Sequence, residues 1–381
     1  MTDDATAAIA GASARGAARL VQASEALRPT AVARIDLAAV KHNLQVVRRL
    51  CPRSRVMAMV KANAYGHGLV PVARALADAD GLAVARIEEA LALRKAGIGG
   101  RVQLLGTLLG RDDLAACSQL DIDVTVHDRS SFAAIDAAAR EYPLRVWLKL
   151  DSGMHRLGLD PAGFIEADRV LSHHRGVLEL GHMTHFASAD EVEPSNLDPP
   201  LRIFRECHAG NPTAAASLAN SAALLTRTDT HAEWVRPGIM IYGVTPVPGV
   251  EVDLRPAMQV ASRVLAVREI PTGDSVGYNR RWTAMRPSRI ATIGIGYGDG
   301  YPRHASSGTP VWVHGRHASL AGRVSMDSLS IDVSDIPAVA VGDEVELWGD
   351  NLPSAIVADH AGTIHYELFT GITSRVEREY L

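Results

Sequence analysis

Cysteine is scarce in this chain: Cys51, Cys117 and Cys207 are the three among 381 residues. They are far apart and odd in number. They match neither a disulfide framework nor a zinc-ligand spacing, and a reducing cytoplasm is the simplest home for such a chain. Long apolar runs are also missing. No stretch reaches the roughly 18 residues that a transmembrane helix needs, so no membrane span is expected. Charge of one sign is not in excess either: 39 Lys and Arg against 43 Asp and Glu leave a net charge of −4. That balance gives no reason to expect nucleic acid or an anionic membrane as a partner. The N-terminus lacks the marks of a targeting signal. Met1–Asp4 is acidic, and the Ala-rich stretch that follows is broken by Arg15, Arg19, Glu25 and Arg28. Residues 1–30 read as a frayed helix or loose tail.

What is present is ordinary globular material, 47% apolar and 22% charged, long enough for roughly two or three domains. From about Ala31 to Pro256 one unit recurs, a short apolar run followed by an amphipathic stretch. Val56–Lys61 precedes Leu69–Asp78, Gly81–Ala85 precedes Ile87–Ala96, and Arg101–Leu105 precedes Arg111–Leu120. Ile122–Val126, Leu144–Leu150, Leu178–His182 and Ala214–Leu218 are each followed in the same way, and Trp234–Val235 opens an eighth unit. β-forming runs without alternation, separated by helices, mean parallel strands buried on both faces. Eight of them predict a (β/α)8 barrel over residues 31–255, with its chemistry at the C-terminal strand ends. Beyond Pro256 the runs are short, β-rich and split by Gly, Pro and Asn, with long helical patterns nearly absent. Residues 256–381 therefore read as an antiparallel β domain.

The most informative segment begins at Lys61, which ends the first buried run at the mouth of the expected barrel. Burial disfavours an ammonium charge and yields a neutral, nucleophilic amine. Such an amine can form a Schiff base with an aldehyde such as pyridoxal phosphate. A lysine whose head reaches solvent past the strand end fits the same position.

Val60-Lys61-Ala62-Asn63-Ala64-Tyr65-Gly66-His67-Gly68 resembles the cofactor signature of alanine racemases, which use pyridoxal 5′-phosphate. The likeness continues through Lys149-Leu150-Asp151-Ser152-Gly153-Met154-His155-Arg156, Thr184-His185-Phe186-Ala187, Ala219-Asn220-Ser221-Ala222-Ala223, Arg236-Pro237-Gly238-Ile239-Met240-Ile241-Tyr242-Gly243, Gly296-Tyr297-Gly298-Asp299-Gly300 and Gly322-Arg323-Val324-Ser325-Met326-Asp327. It covers about residues 30–381 and leaves the tail outside. The family's architecture, a barrel followed by a β domain, agrees with the layout read from the residues.

The resemblance implies roles for particular residues. Lys61 is the Schiff-base lysine and one of two catalytic bases, and Tyr278 is the other. Its neighbours Gly277 and Asn279 depart from the family's usual Ser-Tyr-Gly. A phenol is a poor base at neutral pH unless a positive neighbour favours phenolate, and the family places Arg156 and His185 nearby. Arg236 matches the arginine at the pyridine nitrogen. It keeps its proton, which suits racemisation over transamination. A salt bridge closing the last barrel unit is the other reading of Arg236. Asn220, Ser221, Gly238 and Ile239, with the hydroxyls of Tyr65 and Tyr366, correspond to the cofactor's phosphate cradle, and Ser221 fits a plain helix cap equally well. Met326 and Tyr297 match substrate-binding residues, with Arg156. Met326 and Tyr278 are expected from the second subunit of a homodimer with shared active sites. Lys149 lies close enough to Arg156 that two buried cations would repel. In many relatives this lysine is carbamylated, which makes it an anion. The implied function is racemisation of L- and D-alanine, supplying D-alanine to peptidoglycan.

Alternatives remain at this stage. A racemase of broader specificity differs by one methyl-sized pocket, worth only about 1–3 kcal/mol. A basic-amino-acid decarboxylase needs a carboxylate at the pyridine nitrogen, which Arg236 opposes. A non-catalytic pyridoxal-phosphate carrier resembles the barrel alone. His182 and His185 form an H-x-x-H without an evident third ligand, so no metal is expected. Gly294, Gly296, Gly298 and Gly300 read as a strand with glycine on one face.

Overall fold

The computed structural model describes residues 29–191 and 194–381. The expected loose tail, residues 1–30, thus lies almost wholly outside the described residues.

Eight parallel strands close a barrel: Arg55–Met59, Gly81–Val84, Val102–Leu104, Ile122–Val126, Leu144–Lys149, Val177–Met183, Ala215–Asn220 and Trp234–Arg236. They are the eight apolar runs of the sequence. Every residue of Gly81–Val84 and of Ile122–Val126 is buried; Gly81–Val84 accordingly has no polar side chain, while Asp123 and Thr125 of the second strand are buried polar residues. Three of the helices that follow barrel strands start on side-chain caps. Asp128 accepts from the Ser131 amide, Asp160 from the Gly163 amide behind Pro161, and Asn220 from the Ala223 amide. Each such cap contributes about 1 kcal/mol and fixes where a strand gives way to a helix.

The far end of the barrel is plugged. Asp123 receives Arg101 Nε at 2.6 Å, Arg145 Nε at 2.7 Å and Trp147 Nε1 at 2.9 Å. A carboxylate with no exposed side-chain area needs that many donors to be tolerated inside. The Arg101 guanidinium also lies over the rings of Trp147 and Trp234. This end is built for stability, and the opposite end carries the candidate site.

The second unit is a sheet ordered Ser288–Ile293, Leu329–Asp332, Arg316–Leu320, Pro310–Val313, Glu344–Trp348, Met258–Ile270, Ala31–Ile35 and Glu377–Tyr380. The 13-residue strand Met258–Ile270 bends at two register shifts and pairs again with Ser288–Ile293. The fold corrects two expectations and adds two short helices. Ala31–Ile35, read as the start of the barrel unit, pairs antiparallel with Met258–Ile270 and parallel with Glu377–Tyr380. Its hydrogen-bond partners lie more than 200 residues away, where no local pattern can reveal them. The β domain also contains the helices Ser354–Ala361 and His365–Gly371, each too short to show a sustained helical period. Finally, the alternating glycines do not form a strand. Ser288–Ile293 ends before them, and a tight turn, Tyr297–Asp299, follows. A Cβ on Gly296 would fall 2.3 Å from the Ser325 carbonyl oxygen, and Gly300 has φ +103° with Gly371 O 2.1 Å from its Cβ position. Close backbone approach explains these glycines.

Candidate active site

Lys61 emerges directly from the first barrel strand into a turn with unusual backbone. Ala62, Asn63 and Ala64 have φ/ψ of 52/52°, 55/47° and 53/53°, and Tyr65 has φ 51°. Left-handed geometry costs an L-residue about 1–2 kcal/mol, so four in succession persist only where surroundings hold them. Asn63 Oδ1 accepts from the Leu69 amide at 2.8 Å, and Arg378 Nε donates to Gly66 O at 2.7 Å. The Tyr65 ring lies 4.8 Å from that of Tyr242 and 5.6 Å from that of Tyr366. Gly66 is pressed against the His365–Gly371 helix, since a Cβ there would meet Phe369 O at 2.0 Å. The second domain therefore clamps the turn that carries the lysine.

The mouth of the barrel gathers cations. Burial and the nearby Arg156 lower the Lys61 ammonium below its usual range, and Glu89 opposes this. Lys149 ends its strand 8% exposed, and burial, with Arg236, Arg156 and Lys61, pushes it down to about 8. His185, just past Val177–Met183, is pushed down to about 3 by burial and by Arg236, Lys149, Arg156 and Lys61, so it stands as a neutral imidazole. Arg156 is exposed on the loop after Leu144–Lys149. Among the described residues Lys61, Lys149, Arg156 and Arg236 crowd the mouth, with Glu89 and Asp151 exerting the opposite influence, a set suited to anionic ligands.

Arg236 ends the last strand and is 4% exposed. Its NH1 donates to Ser217 Oγ at 2.7 Å, and its NH2 to Thr184 O and to Leu218 O. The salt bridge read as an alternative for Arg236 does not form among the described residues, because every acceptor around it is neutral. Burial brings this guanidinium down to about 10.

Beside it lies a cradle of backbone and hydroxyl groups. Ser221 Oγ accepts from the Gly238 amide at 2.8 Å, and Asn220, not Ser221, caps the Ser221–Thr226 helix. Gly238 faces the Tyr65 hydroxyl, and a Cβ there would lie 2.6 Å from it. Ile239 follows, fully buried. Burial raises the Tyr366 phenol to about 12 and the Tyr65 phenol further, so both are hydroxyl donors at neutral pH. Tyr278, Met326 and Tyr297 sit apart from this set in being 68%, 53% and 37% exposed. Tyr278 lies in a tight turn between the paired strands Ser275–Val276 and Trp282–Thr283. The two histidines of the H-x-x-H part company. His182 bonds Asp168 at 2.9 Å and His208 at 3.0 Å, whereas His185 faces the mouth cations. No group of metal-ligating side chains occurs among the described residues.

Some residues of the site escaped the sequence reading as individuals. Tyr242 supports the Tyr65 ring and donates its hydroxyl to Met59 O at 2.8 Å. His67 is fully buried between Tyr242 and Phe369, with Nδ1 2.9 Å from Tyr65 O. Ser217 holds Arg236. Polar residues inside or just past buried strands were the available signal.

Comparison with known proteins agrees with this geometry. The model of the alanine racemase N-terminal domain matches residues 35–246, and that of its C-terminal domain residues 257–380. The biosynthetic alanine racemase of Pseudomonas aeruginosa is 46% identical over 358 residues, 93% of this chain and 99% of that protein. The crystal structure of the biosynthetic alanine racemase from that organism superposes with a TM-score of 0.87 at 45% identity, covering 93% and 100% of the two chains. The Bartonella henselae alanine racemase, solved with covalently bound pyridoxal phosphate, has a TM-score of 0.86 at 31% identity, covering 93% and 100%. With both domain models and nearly the full length of these relatives matched, the chain belongs to the alanine racemase family of isomerases.

Proposed function

We propose that this enzyme interconverts L-alanine and D-alanine with pyridoxal 5′-phosphate at the barrel mouth, supplying D-alanine for peptidoglycan in the cytoplasm. The observation that carries the reading is the buried Arg236, held by neutral acceptors alone among the described residues, beside a desolvated lysine. The residues present fit the group. The mouth offers uncompensated positive charge for a phosphate and a substrate carboxylate. The Tyr65 and Tyr366 hydroxyls, Ser221 and the backbone at Gly238 and Ile239, behind Asn220, form a cradle in which Gly238 leaves no side chain in the way.

When bound, the cofactor supplies an aldehyde for the amino group and an electron-withdrawing ring that acidifies the α-carbon. Lys61, whose ammonium burial holds below its usual range, anchors the aldehyde and takes or returns the α-proton at Nζ on one face. Tyr278 does the same at its phenol oxygen on the other face. Its exposure in the single chain supports a role in the site of a second copy, within a homodimer. Arg156 and the Met326 backbone hold the carboxylate, Tyr297 narrows the approach, and His185 stands neutral beside Arg236. Lys149, carbamylated, would turn a repelling cation into an anion that holds Arg156. Arg236 keeps its own proton and would face the cofactor ring as a donor, which would favour return of the proton to the α-carbon.

The purified protein should convert L-alanine to an equimolar mixture of the two forms, and borohydride should fix pyridoxyl label on the Lys61 peptide. Label on another lysine, or racemisation of many amino acids at similar rates, would overturn the assignment of residue or substrate respectively.

A further inference from the structure

We propose that Ser217 is a positioning residue that sets reaction specificity: by presenting a neutral oxygen to Arg236 it keeps the guanidinium's charge uncancelled toward the cofactor ring and suppresses transamination. The inference rests on the placement of Arg236 proposed above and goes beyond it to the residue that governs Arg236.

The geometry is specific. Ser217 lies in the middle of Ala215–Asn220, 2% exposed, in register with Trp234 of the neighbouring strand. A serine hydroxyl has one proton to give, and Ser217 Oγ donates it to Trp234 O at 3.1 Å. Its lone pairs are thereby turned to Arg236 NH1, 2.7 Å away. The other guanidinium branch is held from the strand before. Thr184 O accepts from NH2, and Thr184 is itself locked by its hydroxyl, which contacts Leu150 O at 3.0 Å and Ser152 Oγ at 2.7 Å. Leu218 O is the third acceptor. Acceptors on both terminal nitrogens fix the position of the planar fork. All three are uncharged. A carboxylate would neutralise the guanidinium.

The choice decides where a proton goes. In racemisation the α-carbon recovers its proton. In transamination the proton ends on the cofactor carbon, the amino group stays with the cofactor as an amine, and the amino acid leaves as the 2-oxo acid. Amino acid plus aldehyde becomes 2-oxo acid plus amine, with nothing added or lost. An unprotonated ring nitrogen disfavours this branch. A guanidinium paired with a carboxylate, or swung away for lack of an acceptor, loses that hold.

The test uses the holoenzyme with Ser217→Asp, Ser217→Ala and Ser217→Thr, reading the absorption spectrum of the bound cofactor from pH 5 to 9, 2-oxo acid formed per racemisation turnover, and kcat against KM. Loss of the charge-assisted hydrogen bond in Ser217→Ala, and cancellation of the guanidinium charge in Ser217→Asp, should each raise 2-oxo acid per racemisation turnover about tenfold or more, tenfold being about 1.4 kcal/mol. The spectrum's pH dependence should shift, and the loss in racemisation should fall on kcat more than KM. Ser217→Thr, which keeps the oxygen, should return both readouts to near the original. Should the Asp variant fail to fold, the Ala and Thr pair decides. An unchanged spectrum and unchanged partitioning in Ser217→Ala overturns the proposal if Arg236→Gln alters both. If Arg236→Gln alters neither, the placement of Arg236 itself is wrong.

Discussion

Gly238→Ala is a sharp probe of how the turn and the cradle fit together. A Cβ at residue 238 would stand 2.6 Å from the Tyr65 hydroxyl oxygen and 3.3 Å from Cζ. Ordinary contact begins nearly an ångström further out than the first distance. The Tyr65 ring cannot slide away, because Tyr242 and Tyr366 flank it at 4.8 and 5.6 Å and its backbone is held in the left-handed turn. Overpacking of this kind costs about 1–3 kcal/mol. Tyr65→Phe removes the oxygen and leaves a contact at 3.3 Å that needs only a few tenths of an ångström of relief. The alanine should therefore cost about 1–3 kcal/mol against tyrosine and about 1 kcal/mol or less against phenylalanine, a coupling of at least about 1 kcal/mol. Urea unfolding of the four cofactor-free proteins, followed by tyrosine and tryptophan fluorescence, measures it. A Gly238→Ala protein as stable as the original, or an equal cost in both backgrounds, would refute the account of Gly238 as space for Tyr65.

Three further outcomes are expected. Lys61→Ala and Tyr278→Phe should each be nearly inactive, yet subunit exchange between them should restore up to roughly a quarter of full activity, since half the dimers are mixed and each holds one intact site of two; no recovery despite exchange would place both bases in one chain. His67, fully buried, is pushed down to about 4 from 6.5 by burial. A depressed histidine stabilises the fold fully above its unfolded value and loses that contribution as pH falls from 6.5 toward 4. Between pH 7 and 4 the cofactor-free protein should therefore lose about 3 kcal/mol more than its His67→Phe variant, as read by urea midpoints. Lys149, with an amine brought down to about 8, carries about a tenth of its population as free amine at pH 7, far more than an ordinary lysine, and that form reacts with carbon dioxide. A carbamate signal should appear in carbon-13 spectra under labelled bicarbonate and vanish in Lys149→Ala; its absence from the original protein would leave Lys149 a cation or free amine.

The barrel was legible because each strand and helix is written in consecutive residues. Ile122–Val126 and the helix after it differ in period and in their capping residue, Asp128, and neither needs a distant partner to be recognised. The chemical types at the strand ends were legible too: Lys61, Lys149, Asn220 and Arg236 each stand within two residues of the end of an apolar run. Less legible were features made by pairing across the chain. Ala31–Ile35 has a β composition that suits barrel and sheet equally, and only hydrogen bonds to Met258–Ile270 and Glu377–Tyr380 decide between them. The glycines at 294–300 look like a strand until the Ser325 and Gly371 carbonyls are brought against them.

By itself the sequence determined the order of elements, the side chains at the barrel mouth and the family to which the motifs point, because periodicity, caps and motif residues are local properties. The tertiary structure alone decided the conformation of the turn after Lys61 and the partners of Arg236. Ala62, Asn63, Ala64 and Tyr65 disfavour left-handed backbone one by one. They adopt it because Tyr242, Tyr366, Phe369 and Arg378, from more than 170 residues further along the chain, surround them. Arg236 could have met a carboxylate. It meets Ser217, Thr184 and Leu218 because barrel closure sets the strands side by side in one register, and that register, a property of the whole sheet, fixes which oxygens face the guanidinium.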